Sequence, residues 1–257
     1  MKITFLRRCY VVIVMYLTFT AAACVDVRKA TYFNDVKDSV IDTNTPVPES
    51  IIRKNDLLSI TVSSLNPAAT EVFNTPNNST NQQGQVTGYL VGADGTIQFP
   101  ILGSIKAEGL TKEQLKETIR KKLVDKQLLT DPIVQARILN FHVTVLGEVK
   151  NPTVLNIPNE KISLLEAIGL AGDLTIQAKR DNVLVIREEN GQKIIKRINL
   201  NSNELLSSPY YYLKSDDVVY VEPNKARVSS ANQNSQWVPI AVSVLSLAVI
   251  VVDRLVQ

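Results

Sequence analysis

The side chains that do covalent and acid–base chemistry are scarce in this sequence. It has one histidine, His142, and two cysteines, Cys9 and Cys24. A zinc site takes three or four ligands, and a nucleophilic triad needs a base beside its nucleophile. A single imidazole in an alternating, strand-like run supplies neither, so His142 reads as a structural or surface residue. Glu188 and Glu189 sit together at a turn and read as solvated. A carboxylate pair for glycoside cleavage is defined by spatial separation, which adjacency does not give. Gly84, Gly88, Gly92 and Gly95 are too scattered to cradle a phosphate. No catalytic residue, metal or cofactor is expected. Two features remain. Tyr210, Tyr211 and Tyr212 offer ring faces that could stack on sugar rings or simply pack along a strand. Cys24 follows three alanines.

The N-terminus gives that thiol its context. MKITFLRR is basic, CYVVIVMYLTFT is an apolar run of about a dozen residues, and Ala21, Ala22 and Ala23 precede Cys24. This is secretory signal architecture over residues 1–23, too short for a comfortable membrane span. The three small residues and the cysteine resemble a bacterial lipobox, with Ala21 where leucine is usual. That resemblance implies a lipid on Cys24 as the first residue of the mature chain. Val25 stands next, where an aspartate retains many such lipoproteins at the inner membrane, so the outer membrane is expected. Ordinary signal cleavage with a spare cysteine is the alternative.

The C-terminus carries a second apolar stretch. Trp237 to Val252 holds no charge and is closed by Asp253 and Arg254. As a helix it measures about 24 Å, close to a hydrocarbon core once a further turn joins. A transmembrane helix is expected over 237–256, after a linker at 225–236. Gln236, Ser243, Ser246 and Asp253 recur at helical spacing on one side, with Asn232 and Gln257 extending the stripe. Several copies could turn that polar side toward one another or toward water. The plainer reading is a simple anchor whose serines bond back to the backbone.

Between the ends the composition is that of a folded protein, 45% apolar and 21% charged. The net charge of +3 resides in Lys2, Arg7 and Arg8, so the rest balances. No basic patch with interleaved aromatics points to nucleic acid. Residues 24–50 are polar, end in Pro46 and Pro48, and read as a tether. From Ile51 the pattern changes. Leu58, Ile60 and Val62 alternate with Ser59, Thr61 and Ser63 as a half-buried strand. Asn66 to Gln85 reads as a long polar loop. Tyr89–Val91 and Thr96–Phe99, around Ala93-Asp94-Gly95, read as a hairpin, with Pro100 to Ile105 continuing as a short strand. Thr111-Lys112-Glu113-Gln114 is a capping box before a helix with Leu115, Ile119 and Leu123 on one face, and Ile133 to Leu139 reads as a strand.

A second unit follows. Phe141 to Glu148 and Thr153 to Ile157 are strands about a turn. Ser163-Leu164-Leu165-Glu166 is another capping box, and Gly172 suits the end of its helix. Residues 182–187 and 193–198 flank Asn190-Gly191 as a hairpin, and Val218 to Val221 is a last strand. Its lead-in, Leu213 to Asp217, echoes Arg53 to Asp56: a basic residue, an aspartate, then alternating apolars.

Asp56 before the first strand, the run LVGADGTIQFPILGSI, the helix in GLTKEQLKETIRKKL and the strand DPIVQARI together resemble the bacterial polysaccharide biosynthesis/export domain over residues 51–139. The run VLGEVKNPTVLNIP, then SLLEAIGLAGDL, DNVLVIR and DDVVYVEP, resembles the soluble-ligand-binding β-grasp domain over 140–224. The fold class expected is α+β: two small mixed modules and a C-terminal transmembrane helix. The resemblance implies a non-enzymatic outer-membrane lipoprotein with a periplasmic body, assembled as a ring homo-oligomer that exports capsular or extracellular polysaccharide. Its implied partners are further copies of itself, an inner-membrane polysaccharide co-polymerase or chain-length protein, the polysaccharide and membrane lipid. The alternative is a periplasmic sugar-binding or scaffold lipoprotein with a simple C-terminal anchor.

Overall fold

Leu58, Ile60 and Val62 turn inward and their neighbours outward, which makes β1 (Leu57–Ser63) the central strand of the first module. The computed structural model describes residues 31–34, 40, 49–74, 88–189, 191–231, 240, 242–244, 246, 247, 251 and 254. After β1 come a helical turn at Pro67–Thr70 and a 3-10 turn at Glu71–Phe73. β2 (Tyr89–Leu90) pairs antiparallel with one side of β1, and β5 (Ile133–Ile138) with the other. Between them, β3 (Thr96–Phe99) and β4 (Gly103–Lys106) form a two-stranded sheet with Ile97 opposite Ile105.

This differs from the expected hairpin of Tyr89–Val91 with Thr96–Phe99. The turn is real, with Gly92 N donating to Thr96 O at 2.8 Å, but its flanks belong to different sheets. Val91 is held by the first strand's lead-in: its amide donates to Asp56 O, and its carbonyl accepts from Asn55 N, both at 2.9 Å. The hairpin turn proper is Pro100–Leu102, so those residues do not continue a strand.

α1 (Lys112–Asp125) begins at the predicted capping box: Thr111 Oγ1 accepts from Gln114 N at 3.3 Å and Gln114 Oε1 from Thr111 N at 2.9 Å. Such a cap contributes about 1 kcal/mol. Leu115, Ile119 and Leu123 are wholly buried, each worth about 2 kcal/mol of apolar burial, and lock the helix down.

The second module is one five-stranded sheet in the order β7-β6-β10-β8-β9. Its strands are β6 (His142–Gly147), β7 (Thr153–Asn156), β8 (Ala178–Glu189), β9 (Gln192–Ile198) and β10 (Val218–Pro223). β6 and β10 run parallel; the other pairs are antiparallel. α2 (Leu164–Leu170) starts at the Ser163/Glu166 box and buries Leu164, Ala167 and Ile168. α3 (Lys225–Ala231) follows the last strand. The buried residues of both modules form one cluster. The fold class is mixed α+β, as expected.

The transmembrane helix expected over 237–256 is not shown. Its described residues, among them Ile240, Val242–Val244, Ser246 and Leu247, are helical and exposed. Yet among the described residues no helix is long and apolar enough to cross a membrane. The remainder of that stretch lies outside them, as do the expected signal segment and most of the polar loop expected over 66–85.

Candidate functional site

The tyrosine run precedes β10 and lies against the start of α2, where Tyr212 bridges to Ser163. All three rings are half-buried. Tyr210 lies under the Arg187 guanidinium, 4.9 Å from ring centre to its carbon. Tyr211 and Tyr212 meet edge to face at 5.0 Å, and the Lys161 ammonium stands 5.1 Å from the centre of Tyr212. The backbone is pinned as well, since Leu164 N donates to Tyr211 O at 2.8 Å. Two of these rings are therefore already faced by cations, and the run is first of all packing between α2 and the sheet.

Beneath it is a feature the sequence reading missed. Arg187 Nη2 donates to Asp217 Oδ2 at 2.7 Å and to Tyr212 O at 3.2 Å, while its Nε donates to Asp217 Oδ1 at 2.9 Å. Lys214 N also donates to Asp217 Oδ2, at 2.8 Å. A signal was present: Arg187 is in phase with Val183 and Val185, so an arginine occupies an inward position of an alternating strand. Lys214 Nζ, paired with Glu189 at 2.6 Å, holds that carboxyl below its usual range, and Glu189 is thus a fixed negative charge on the strand that carries Arg187.

The second polar concentration joins the modules. Asn140, between β5 and β6, accepts from Leu57 N at 2.8 Å and donates to Asn55 O at 3.1 Å. Arg53 of the first module donates to Ser215 O at 3.3 Å and lies 3.6 Å from Asp216. His142 sits on the same carboxylate, its Nε2 3.4 Å from Asp216, with Nδ1 2.8 Å from Asn140 O. The lone histidine is a junction residue. Glu160 reaches back from the second module: Ile138 N donates to its Oε1 at 2.9 Å, and Lys112 Nζ is 2.7 Å from its Oε2. Asp56 is buried beneath, accepting from Arg53 N at 2.7 Å. Burial, reinforced by the charge of Asp216, pushes its carboxyl up to about 6.

Of the residues singled out in the tail, Ser243 and Ser246 are described. Ser246 Oγ donates to Ser243 O at 2.8 Å, the backbone bond of the plainer reading. Cys24, Gln236 and Asp253 lie outside the described residues. Among the described residues, no three histidines, cysteines or carboxylates are grouped to hold a metal.

Two mixed modules in series, joined by a polar junction, define a class of two-domain protein that is recognisable by comparison. Residues 44–139 match the family described as polysaccharide biosynthesis/export protein, and residues 142–221 match the SLBB domain. The EPS I polysaccharide export outer membrane protein EpsA of Ralstonia solanacearum is 29% identical over 143 residues, 54% of this chain and 37% of that protein. Its namesake in Ralstonia nicotianae is 29% identical over 140 residues, 53% of this chain and 36% of that protein. The matched stretch spans little more than a third of either relative's length. The chain thus carries, in order, a domain similar to those of bacterial polysaccharide export proteins and an SLBB domain.

Proposed function

We propose that this chain is an outer-membrane lipoprotein whose copies assemble into a passive conduit for capsular or extracellular polysaccharide. The observation that carries the reading is the order of the two matched domains, export then SLBB, together with relatives named for polysaccharide export at the outer membrane. The chain moves its substrate and does not transform it. Residues 51–139 and 140–224 are its two working modules. Cys24 carries the lipid, and the segment 237–256 enters the membrane with Gln236, Ser243, Ser246 and Asp253 turned toward neighbouring copies. Energy comes from an inner-membrane co-polymerase that the periplasmic body meets. Tyr210, Tyr211 and Tyr212 offer at most their outer edges to a passing glycan.

Electron microscopy of the detergent-extracted particle tests the assembly. Closed rings are expected, and deletion of the chain should remove surface polysaccharide. Changing Ser243→Leu with Ser246→Leu should keep the protein in the membrane and weaken assembly. The bond from Ser246 to the Ser243 carbonyl favours one rival, a scaffold lipoprotein with a simple anchor. Monomeric particles, or unchanged oligomer size in the double variant, would favour that rival.

A further inference from the structure

The sheet of the second module is apolar on both faces, and only one is covered. Inward lie Val145, Val185 and Val219, all wholly buried. The outward side of such a sheet is polar where it faces water. Here one outward row crosses all five strands in register: Val154, Thr144, Val218, Ile186 and Ile195. The row beside it carries Leu146, Tyr220 and Leu184. Val154 and Ile195, at the two ends of the first row, are 54% and 59% exposed, and Leu146 and Tyr220 are exposed as well. The charges that border the patch pair among themselves, with Arg197 3.2 Å and Lys179 3.5 Å from Glu222. A contiguous apolar patch marks a surface that something covers, and this one fits an occupant without charge.

The chain supplies that occupant. Trp237 to Val252 holds no charge. Among its described residues, Ile240, Val244, Leu247 and Val251 follow at spacings of four, three and four, which is one stripe of a helix, and all are exposed. From Ile240 to Val251 the stripe is about 16 Å long, against about 19 Å for a row across five strands. The connection is local. β10 is the middle strand of the patch and leads through α3 to the tail, and the link 232–239 reaches up to about 27 Å. We infer that, before it enters the membrane, the segment 237–252 lies across this sheet face, stripe against row, so that the second module shelters its own tail in the periplasm. The inference rests on the membrane entry proposed above and adds the state that precedes it. Area sets the order of the two states. The sheet covers only the stripe, whereas lipid also covers Val242 and the other apolar sides, so the segment leaves the sheet once lipid is reached. In this structure the two apolar faces stand apart, as in the released form.

Tyr220→Cys with Val244→Cys in the full-length protein tests the contact. Both positions are central, one on the middle strand and one within the stripe, so they meet whichever way the helix lies. Cells are pulse-labelled and treated at intervals with a short bismaleimide that crosses the outer membrane, and the linked peptides are identified by mass. Linking within one chain is expected early, and should fall by about fivefold or more as alkali-resistant membrane association rises. Leu146→Asp with Ile195→Asp, both at exposed positions, should cut early linking by about fivefold or more in the same background and leave the urea unfolding midpoint unchanged. No early link, or a link untouched by the two aspartates, would overturn the inference. A dimer-sized product would give the face to a second copy and overturn it equally. A link that persists undiminished through the chase would instead count against the membrane entry of 237–256 on which the inference stands.

Discussion

Arg187 and Asp217 face each other through two near-parallel hydrogen bonds, 2.9 and 2.7 Å long, with side chains only 4% and 1% exposed. Neither charge can regain water if its partner is removed. Asp217→Asn keeps the acceptor for Lys214 N but leaves the guanidinium uncompensated, and Arg187→Met leaves the carboxylate so. Each should lose about 3–5 kcal/mol in urea unfolding, whereas Arg187→Met with Asp217→Leu should lose less than the sum. Arg187→Lys cannot reproduce the bidentate geometry and should restore only part of the loss. Additive single effects would show that the two residues act separately.

Gly147 closes β6 against the parallel strand β10. Its φ is +92, and a Cβ built there would stand 2.1 Å from the Val221 carbonyl oxygen. That oxygen accepts from Glu148 N at 3.0 Å, so the strand pair is stitched at the point where a side chain would intrude. Gly147→Ala must break the pairing or distort it, and should cost about 2–4 kcal/mol. Hydrogen exchange should show the amide of Glu148 losing protection first. A silent Gly147→Ala would mean that the strand pair can part at this point without cost.

Asp56 gives the protein a pH dependence with a definite sign. Its carboxyl is raised to about 6, chiefly by burial, against an ordinary value of 3.8. Between those values the folded state keeps the proton that the unfolded chain has released. Stability therefore falls as pH rises from about 4 to about 6, by some 2–3 kcal/mol from this group, and the loss is complete above that window. Asp56→Asn preserves an acceptor for Arg53 N and carries no charge. It should flatten this part of the profile, match the wild type near pH 4 and exceed it at pH 7. Parallel profiles for the two proteins would refute the assignment.

The elements were legible where local rules act alone. Both capping boxes, Thr111 to Gln114 and Ser163 to Glu166, start helices where the spacing says, because a cap is a contact between near neighbours. The echo between Arg53–Asp56 and Lys214–Asp217 proves to be a repeated turn. In both, the aspartate accepts from the amide three residues back, at 2.7 and 2.8 Å, and the preceding residue, Asn55 or Asp216, has φ +68. What differs is non-local. Asp217 has Arg187 beside it, and Asp56 has a module junction over it. Likewise β2 left its expected partner for β1, a choice set by the Asp56 and Asn55 backbone and invisible in the alternation of Tyr89 to Phe99. The contacts of Tyr32 with Asp173 and of Phe33 with Leu200 were hidden for the same reason: these partners are far away in sequence.

Glu160 should be the residue that couples the modules. Its side chain, only 5% exposed, lies between them, with one oxygen on the Ile138 amide and the other 2.7 Å from Lys112 Nζ in the first turn of α1. Glu160→Gln keeps an acceptor for the amide and loses the charge pair, at a cost of about 1–2 kcal/mol. Glu160→Ala also strips the Ile138 amide of its partner, and should cost about 2–4 kcal/mol. The difference is local: the Ile138 amide should exchange faster in the alanine variant and stay protected in the glutamine one. Lys112→Met should weaken stability in the wild type and do little in Glu160→Gln, since the carboxylate it serves is already gone. If Lys112→Met costs the same in both backgrounds, the contact is a bystander, and cohesion between the modules must come from Asn140, the Arg53 contacts with Ser215 and Asp216, and the shared core.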